Sequence, residues 1–204
     1  MTQTTMRKTS NDEQILKSFR DHRACLNLLT VPDNRLKIQH LSWFKPGTSC
    51  YGVTYMAVGR DLIVRGDLGD AIYSVSDKQD FNFWARTGVD YFHGKCRASE
   101  GGRGYDWCDW AEAKCLEEID RFVQEYYTDD DKVVPAELLA ECKENVYNKD
   151  EFARWIDTNG EELMGPDWGE CEPWEWGRVI PFRCHAHHLG LKLAWAQLKE
   201  GVPA

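Results

Sequence analysis

The chain has 204 residues, 42% hydrophobic and 29% charged, with 9 Trp, 8 Tyr and 8 Phe and a formal net charge of −9; such a chain can bury a real core in one large domain, or one with an appendage. No run approaches the ~18 apolar residues of a membrane span, and the polar start MTQTTMRKTSNDEQ lacks the apolar segment of a signal peptide, so a cytoplasmic protein with its cysteines reduced is expected. The charge is uneven: residues 109–175 carry 21 acidic and 6 basic side chains, net −15, while 1–108 and 176–204 are each net +3, which speaks against direct nucleic-acid binding through the acidic stretch, because phosphate contacts need Lys and Arg.

In chain order, Ile15, Phe19, His22, Leu26 and Leu29 fall at three- and four-residue steps, the stripe of an amphipathic helix that Pro32 would stop. RLKIQHLSWF, CYGVTYMAV, LIV and AIYSV then read as four short strands. The turns KPGTS, GRD and RGDLGD separate them, which predicts an antiparallel meander. Ser76 with Gln79 forms a capping-box pattern ahead of DFNFWAR. The glycine-rich stretch 87–106 reads as irregular. A helix is predicted from Trp107 or Asp109 through Tyr127, with Ala113, Leu116, Ile119, Val123 and Tyr127 inward. Pro135 opens a second, and KDEFARWIDTNG is a short third with Gly160 near its C-terminal cap. After the tryptophan-dense loop MGPDWGECEPWEWG, the final helix PFRCHAHHLGLKLAWAQLKEG is apolar on two sides and so is expected to be sandwiched. The fold class is therefore α+β: an N-terminal helix, a four-stranded antiparallel meander, and a helical C-terminal half packed on the sheet. The chain reads as a single domain, with 1–90 (helix and sheet) and 91–204 (mostly helical) as a possible subdivision.

The stretch WFKPGTSCYGVTYMAVGRDLIVRGDLGDAIYS, with DFNFWAR behind it, resembles a family of small tailed-phage and prophage proteins marked by a KPGTS-x-Y turn and a GD-x-G hairpin. The resemblance covers residues 43–86 well and 174–198 loosely. Leu68 and Asp70 depart from the commoner hairpin residues, so Gly66, Asp67 and Gly69 carry the motif. What the resemblance implies is a phage or prophage source; it assigns no activity to any residue. By association with phage genes of this size, it points to host takeover or anti-defence roles, anti-CRISPR proteins included.

Three constellations carry possible chemistry. Asp67 and Asp70, between strands and beside glycines, read as the polar tip of a hairpin; a Mg²⁺ site would need further carboxylates or phosphates. His93, Cys96, Cys184, His185 and His188 have ligand types suited to tetrahedral Zn²⁺, but their spacing is no standard zinc pattern, and packed core residues are the alternative. Asp129, Asp130 and Asp131, with Trp168, Glu170, Glu172, Trp174 and Trp176, combine aromatic anchors and a charged rim, the make-up of a protein interface. Acidic helices that merely solvate well are the alternative. GxSxG, HExxH, Walker A and GxGxxG motifs are lacking. The expectation is a phage-encoded cytoplasmic protein that binds and inhibits a host protein or ribonucleoprotein complex with a basic surface, with no membrane partner and no required cofactor. The alternatives are a metal-dependent enzyme acting on nucleotides or nucleic acid, and a virion structural or assembly protein.

Overall fold

The computed structural model describes residues 12–31, 36–102, 107–127 and 135–201. It is an α+β protein whose residues form two compact units, one comprising the described residues up to Cys108 together with those from Ile180 onward, the other Asp109–Val179. The sheet has six antiparallel strands in sequence order: β1 (Arg23–Val31), β2 (Leu36–Phe44), β3 (Val53–Val58), β4 (Asp61–Gly66), β5 (Ala71–Ser74) and β6 (Cys96–Ser99).

The four expected strands are present, and two more flank them. The N-terminal helix α1 covers 12–19 and ends well short of Leu29. Ile15, Phe19 and His22 are buried as a helical stripe would have them, but the same spacing continues by accident into RACLNLLTV. That segment gains nine rungs against β2, and tertiary pairing outweighs the weak local preference. β6 lies within the stretch 87–106 expected to be irregular; it is only four residues long and pairs with β5 through a register shift at Ile72/Tyr73, so it leaves no alternation to read.

Inward positions of β3, β4 and β5 alternate as their pleat requires: Val53, Tyr55, Ala57, Leu62, Val64, Ala71 and Tyr73 are buried. They are covered by α2 (Phe81–Arg86), α3 (Val89–Gly94) and the last helix α7 (Phe182–Lys199). Asp80, rather than Ser76, caps α2: its Oδ1 accepts from the Phe83 amide at 3.0 Å, while Ser76 Oγ bonds to Asp77. α7 buries Cys184, Ala186, His187, His188, Gly190, Leu191 and Ala194, so it runs through its unit as the two-sided pattern required. At Gly190 the backbone approaches so closely that a Cβ would lie 2.6 Å from the Tyr55 hydroxyl.

The second unit contains α4 (Glu112–Tyr126), α5 (Ala136–Glu144), α6 (Lys149–Met164), two 3₁₀ turns (Trp168–Cys171 and Pro173–Glu175), and the short pair β7 (Asp109–Trp110) and β8 (Arg178–Val179). Its helices build a core of their own around Cys115, Ile119, Cys142, Val146, Phe152, Ile156, Leu163, Met164 and Trp176. The inward side of α4 is Cys115, Leu116, Ile119 and Phe122; Ala113 is exposed. Gly160 is not a cap: α6 continues to Met164, and Gly160 lets the Trp168 indole lie against the helix, where a Cβ would meet the ring at 2.8 Å. The cap is Gly165, at φ 90°.

Candidate functional site: an acidic unit and a sealed histidine cluster

The 71-residue unit Asp109–Val179 holds 21 acidic and 7 basic side chains, net −14; the rest of the chain holds 13 acidic and 18 basic, net +5. Among the described residues, five cations of the acidic unit have partners within it. Lys143 pairs with Asp120 and Arg154 with Glu151, each at 2.5 Å; Arg178 pairs with Glu175 at 2.5 Å, and Arg121 pairs with Glu118. Lys114 donates to the Arg178 carbonyl. The carboxylates of Glu112, Glu137, Glu141, Glu144, Asp157, Glu161, Glu162, Asp167, Glu170 and Glu172 belong to exposed residues. On α6, Asp150, Asp157 and Glu161 fall seven and eleven residues apart, on one face.

Two placements go against local helix electrostatics. The last turn of α6 holds Glu161 and Glu162 and has no basic residue, and α4 likewise ends without one. Negative charge at the negative end of a helix dipole is unfavourable. Replacing Glu161 and Glu162 by Lys is expected to raise the stability of this unit, by about 0.5 kcal/mol per site. Urea denaturation followed by tryptophan fluorescence checks it.

Of the predicted interface residues, Glu170 and Glu172 are exposed, and Trp168 and Trp174 are half-buried, edge to face with ring centroids 6.0 Å apart. Trp176 is buried against Phe122 and Phe152, and its indole N–H donates to the Cys171 carbonyl at 3.2 Å. Trp176 thus anchors the core beneath the loop and offers no contact area. Asp129, Asp130 and Asp131 lie outside the described residues.

The five metal candidates are each turned to local partners. His93 Nε2 donates to the Trp107 carbonyl at 2.6 Å, and His188 Nε2 to that of Thr87 at 2.8 Å. His185 Nδ1 lies 3.9 Å from the Asp12 carboxylate. Cys96 Sγ reaches the Ala98 carbonyl, and Cys184 Sγ lies 3.9 Å from the Tyr73 hydroxyl. Among the described residues no three His, Cys, Asp or Glu side chains converge as a metal would need. The eight cysteines form no disulfide. Burial pushes the Cys115, Cys142 and Cys184 thiols up to about 12, which leaves them protonated and weakly nucleophilic at neutral pH.

The second histidine of CHAHH, His187, is not among the residues the sequence marks as a site. It is fully buried. Its Nε2–H donates to the Leu68 carbonyl at 3.2 Å, which leaves Nδ1 to accept from the Tyr73 hydroxyl at 3.0 Å. The Tyr55 hydroxyl donates to the His187 carbonyl at 2.9 Å. Burial pushes the His187 and His188 rings down to about 4 and the Tyr73 phenol well above its ordinary value. These bonds hold α7 against β3, β5, the hairpin and the end of α2, so the cluster fastens the fold.

The hairpin itself is a backbone contact. Asp67 N–H donates to the Gly52 carbonyl at 3.1 Å, and Gly69 N–H to that of Gly66 at 3.0 Å. Asp70 accepts from the Gly66 amide at 3.3 Å and from Arg65 at 3.2 Å. Gly66 and Gly69 have φ of 145° and 88°. The KPGTS turn and the GD-x-G hairpin therefore meet at Gly52, and the motif that carries the phage resemblance is structural. No family model, curated protein or solved structure matches the chain.

Proposed function

We propose that this is a phage-encoded inhibitor that binds a bacterial defence complex, placing its acidic unit on a basic surface that otherwise holds nucleic acid. The observation that carries the reading is a net −14 within one compact unit of 71 residues, in which Arg121, Lys143, Arg154 and Arg178 are engaged in ion pairs with its own carboxylates and α6 ends on Glu161 and Glu162 against the local dipole. Natural sequences break local rules of this kind where function asks for it. Long-range attraction to a basic channel speeds capture, and carboxylates stand where phosphates would. The phage resemblance supplies the setting: a host cytoplasm, a host target, and benefit from blocking an enzyme that reads nucleic acid.

The test is affinity capture from bacterial lysate with the wild-type protein and with a variant carrying Asp129→Lys, Asp130→Lys, Asp131→Lys, Glu170→Lys and Glu172→Lys. Wild type is expected to retain a nucleic-acid-binding partner at low salt. The variant is expected to capture it at least ~100-fold more slowly, the range that electrostatic steering spans. Equal capture by both, unaffected by salt, would refute the proposal.

A further inference from the structure

The two edges of the six-stranded sheet are built differently. β6 is short and reaches β5 through a register shift, which is how natural edges avoid unwanted pairing. β1 is nine residues long, pairs with β2 without interruption, and from Ala24 to Val31 contains no charge, no proline and no bulge. Its main-chain orientation follows from one contact. Ala24 N–H donates to Gln197 Oε1 at 2.7 Å, so it points away from β2. In an antiparallel ladder, residues two apart turn their N–H and C=O to the same side; Leu26, Leu28 and Thr30 therefore turn theirs to the open edge.

The side chains follow the same period. Ala24 is buried and Leu26 packs on the core, so Leu28 lies on the core face as well. Leu28 is nevertheless 69% exposed; Leu29, on the other face, is 55% exposed.

We propose that β1 pairs with β1 of a second copy of this chain, antiparallel, about a two-fold axis at Leu28. The choice of occupant comes from self-complementarity. Three open rungs, with Leu28 in the middle and Ala24 closed off by Gln197, match themselves when reversed. Leu28 faces Leu28 of the copy, and Leu26 faces Thr30 of the copy twice. The three pairs exchange six main-chain hydrogen bonds, and the two exposed Leu28 side chains cover each other. An isologous contact of this kind closes at a dimer and cannot propagate through this edge. The two sheets become one of twelve strands.

Sedimentation of the full-length protein across a concentration series reaching about 200 μM tests this, because so small an interface is expected to dissociate in the micromolar range. Wild type is expected to move from monomer to dimer, and Leu28→Lys, which sets two like charges opposite each other at an exposed site, to stay monomeric with an unchanged circular dichroism spectrum. In hydrogen exchange, the amides of Leu26, Leu28 and Thr30 are expected to slow as concentration rises while that of Ala24 does not change. A monomer at every concentration would overturn the proposal, including one that binds an added extended peptide along β1. So would a dimer that Leu28→Lys leaves intact.

Discussion

Lowering the pH from 7 toward 4 is expected to destabilise the sheet unit steeply, through two buried histidines. His187 and His188 are held neutral, each pushed down to about 4 chiefly by burial. In the unfolded chain both rings titrate at ordinary values, near 6.5. Between those values the unfolded chain takes up protons that the folded rings refuse. The contribution is thus fully present above pH ~6.5 and is lost progressively as the pH falls to about 4. The loss is on the order of 3 kcal/mol per ring, against a total stability of ~5–15 kcal/mol for an ordinary domain. Urea midpoints at pH 7 and 4.5, read from amides in β3 and β5, measure it. His188→Gln keeps a donor for the Thr87 carbonyl and cannot titrate, so its midpoint is expected to move less with pH. An identical pH response in wild type and variant would contradict this assignment.

Gly66→Ala is expected to be the most damaging single-methyl change in the sheet unit. Gly66 sits at φ 145°, and a Cβ there would lie 2.1 Å from the Gly52 carbonyl oxygen and 3.0 Å from its carbon. Those are backbone atoms fixed by the Asp67-to-Gly52 hydrogen bond, and no side chain can swing aside. The hairpin must move, and with it the Leu68 carbonyl that accepts from His187. The expected cost is about 3–5 kcal/mol, the range of severe packing and backbone lesions. Gly47→Ala is the control: φ is 81° but nothing lies within 4 Å, so it carries conformational strain alone, about 1 kcal/mol. Urea denaturation of both separates collision from strain, and equal losses would contradict the account.

The sequence was legible where local chemistry and tertiary need agree. Alternation in β2 to β5, the turn residues between them and the two-sided pattern of α7 all appear in the fold. It misled where one pattern served two structures. Leu26 and Leu29 continue a helical spacing that Ile15 and Phe19 begin, yet they lie in a strand fixed by its pairing with Leu41 and Ile38 of the neighbouring β2, a partner that the spacing within the segment does not record. Gly160 resembled a cap because a glycine ends many helices, whereas here it makes room for Trp168. The acidic block was visible as charge; that it forms a compact unit of its own depends on β7 meeting β8 some seventy residues away, which no local pattern records. His187 was hidden because its partners, Tyr73 and the Leu68 carbonyl, are more than a hundred residues distant.

If the acidic unit occupies a basic surface as we propose, it competes there with nucleic acid. The most direct measurement is displacement of labelled nucleic acid from the captured partner by increasing amounts of this protein, over a series of salt concentrations. The account predicts stoichiometric displacement that weakens as salt rises, and none by the charge-reversed variant. A partner that binds this protein and labelled nucleic acid at the same time, with no loss of either, would contradict it.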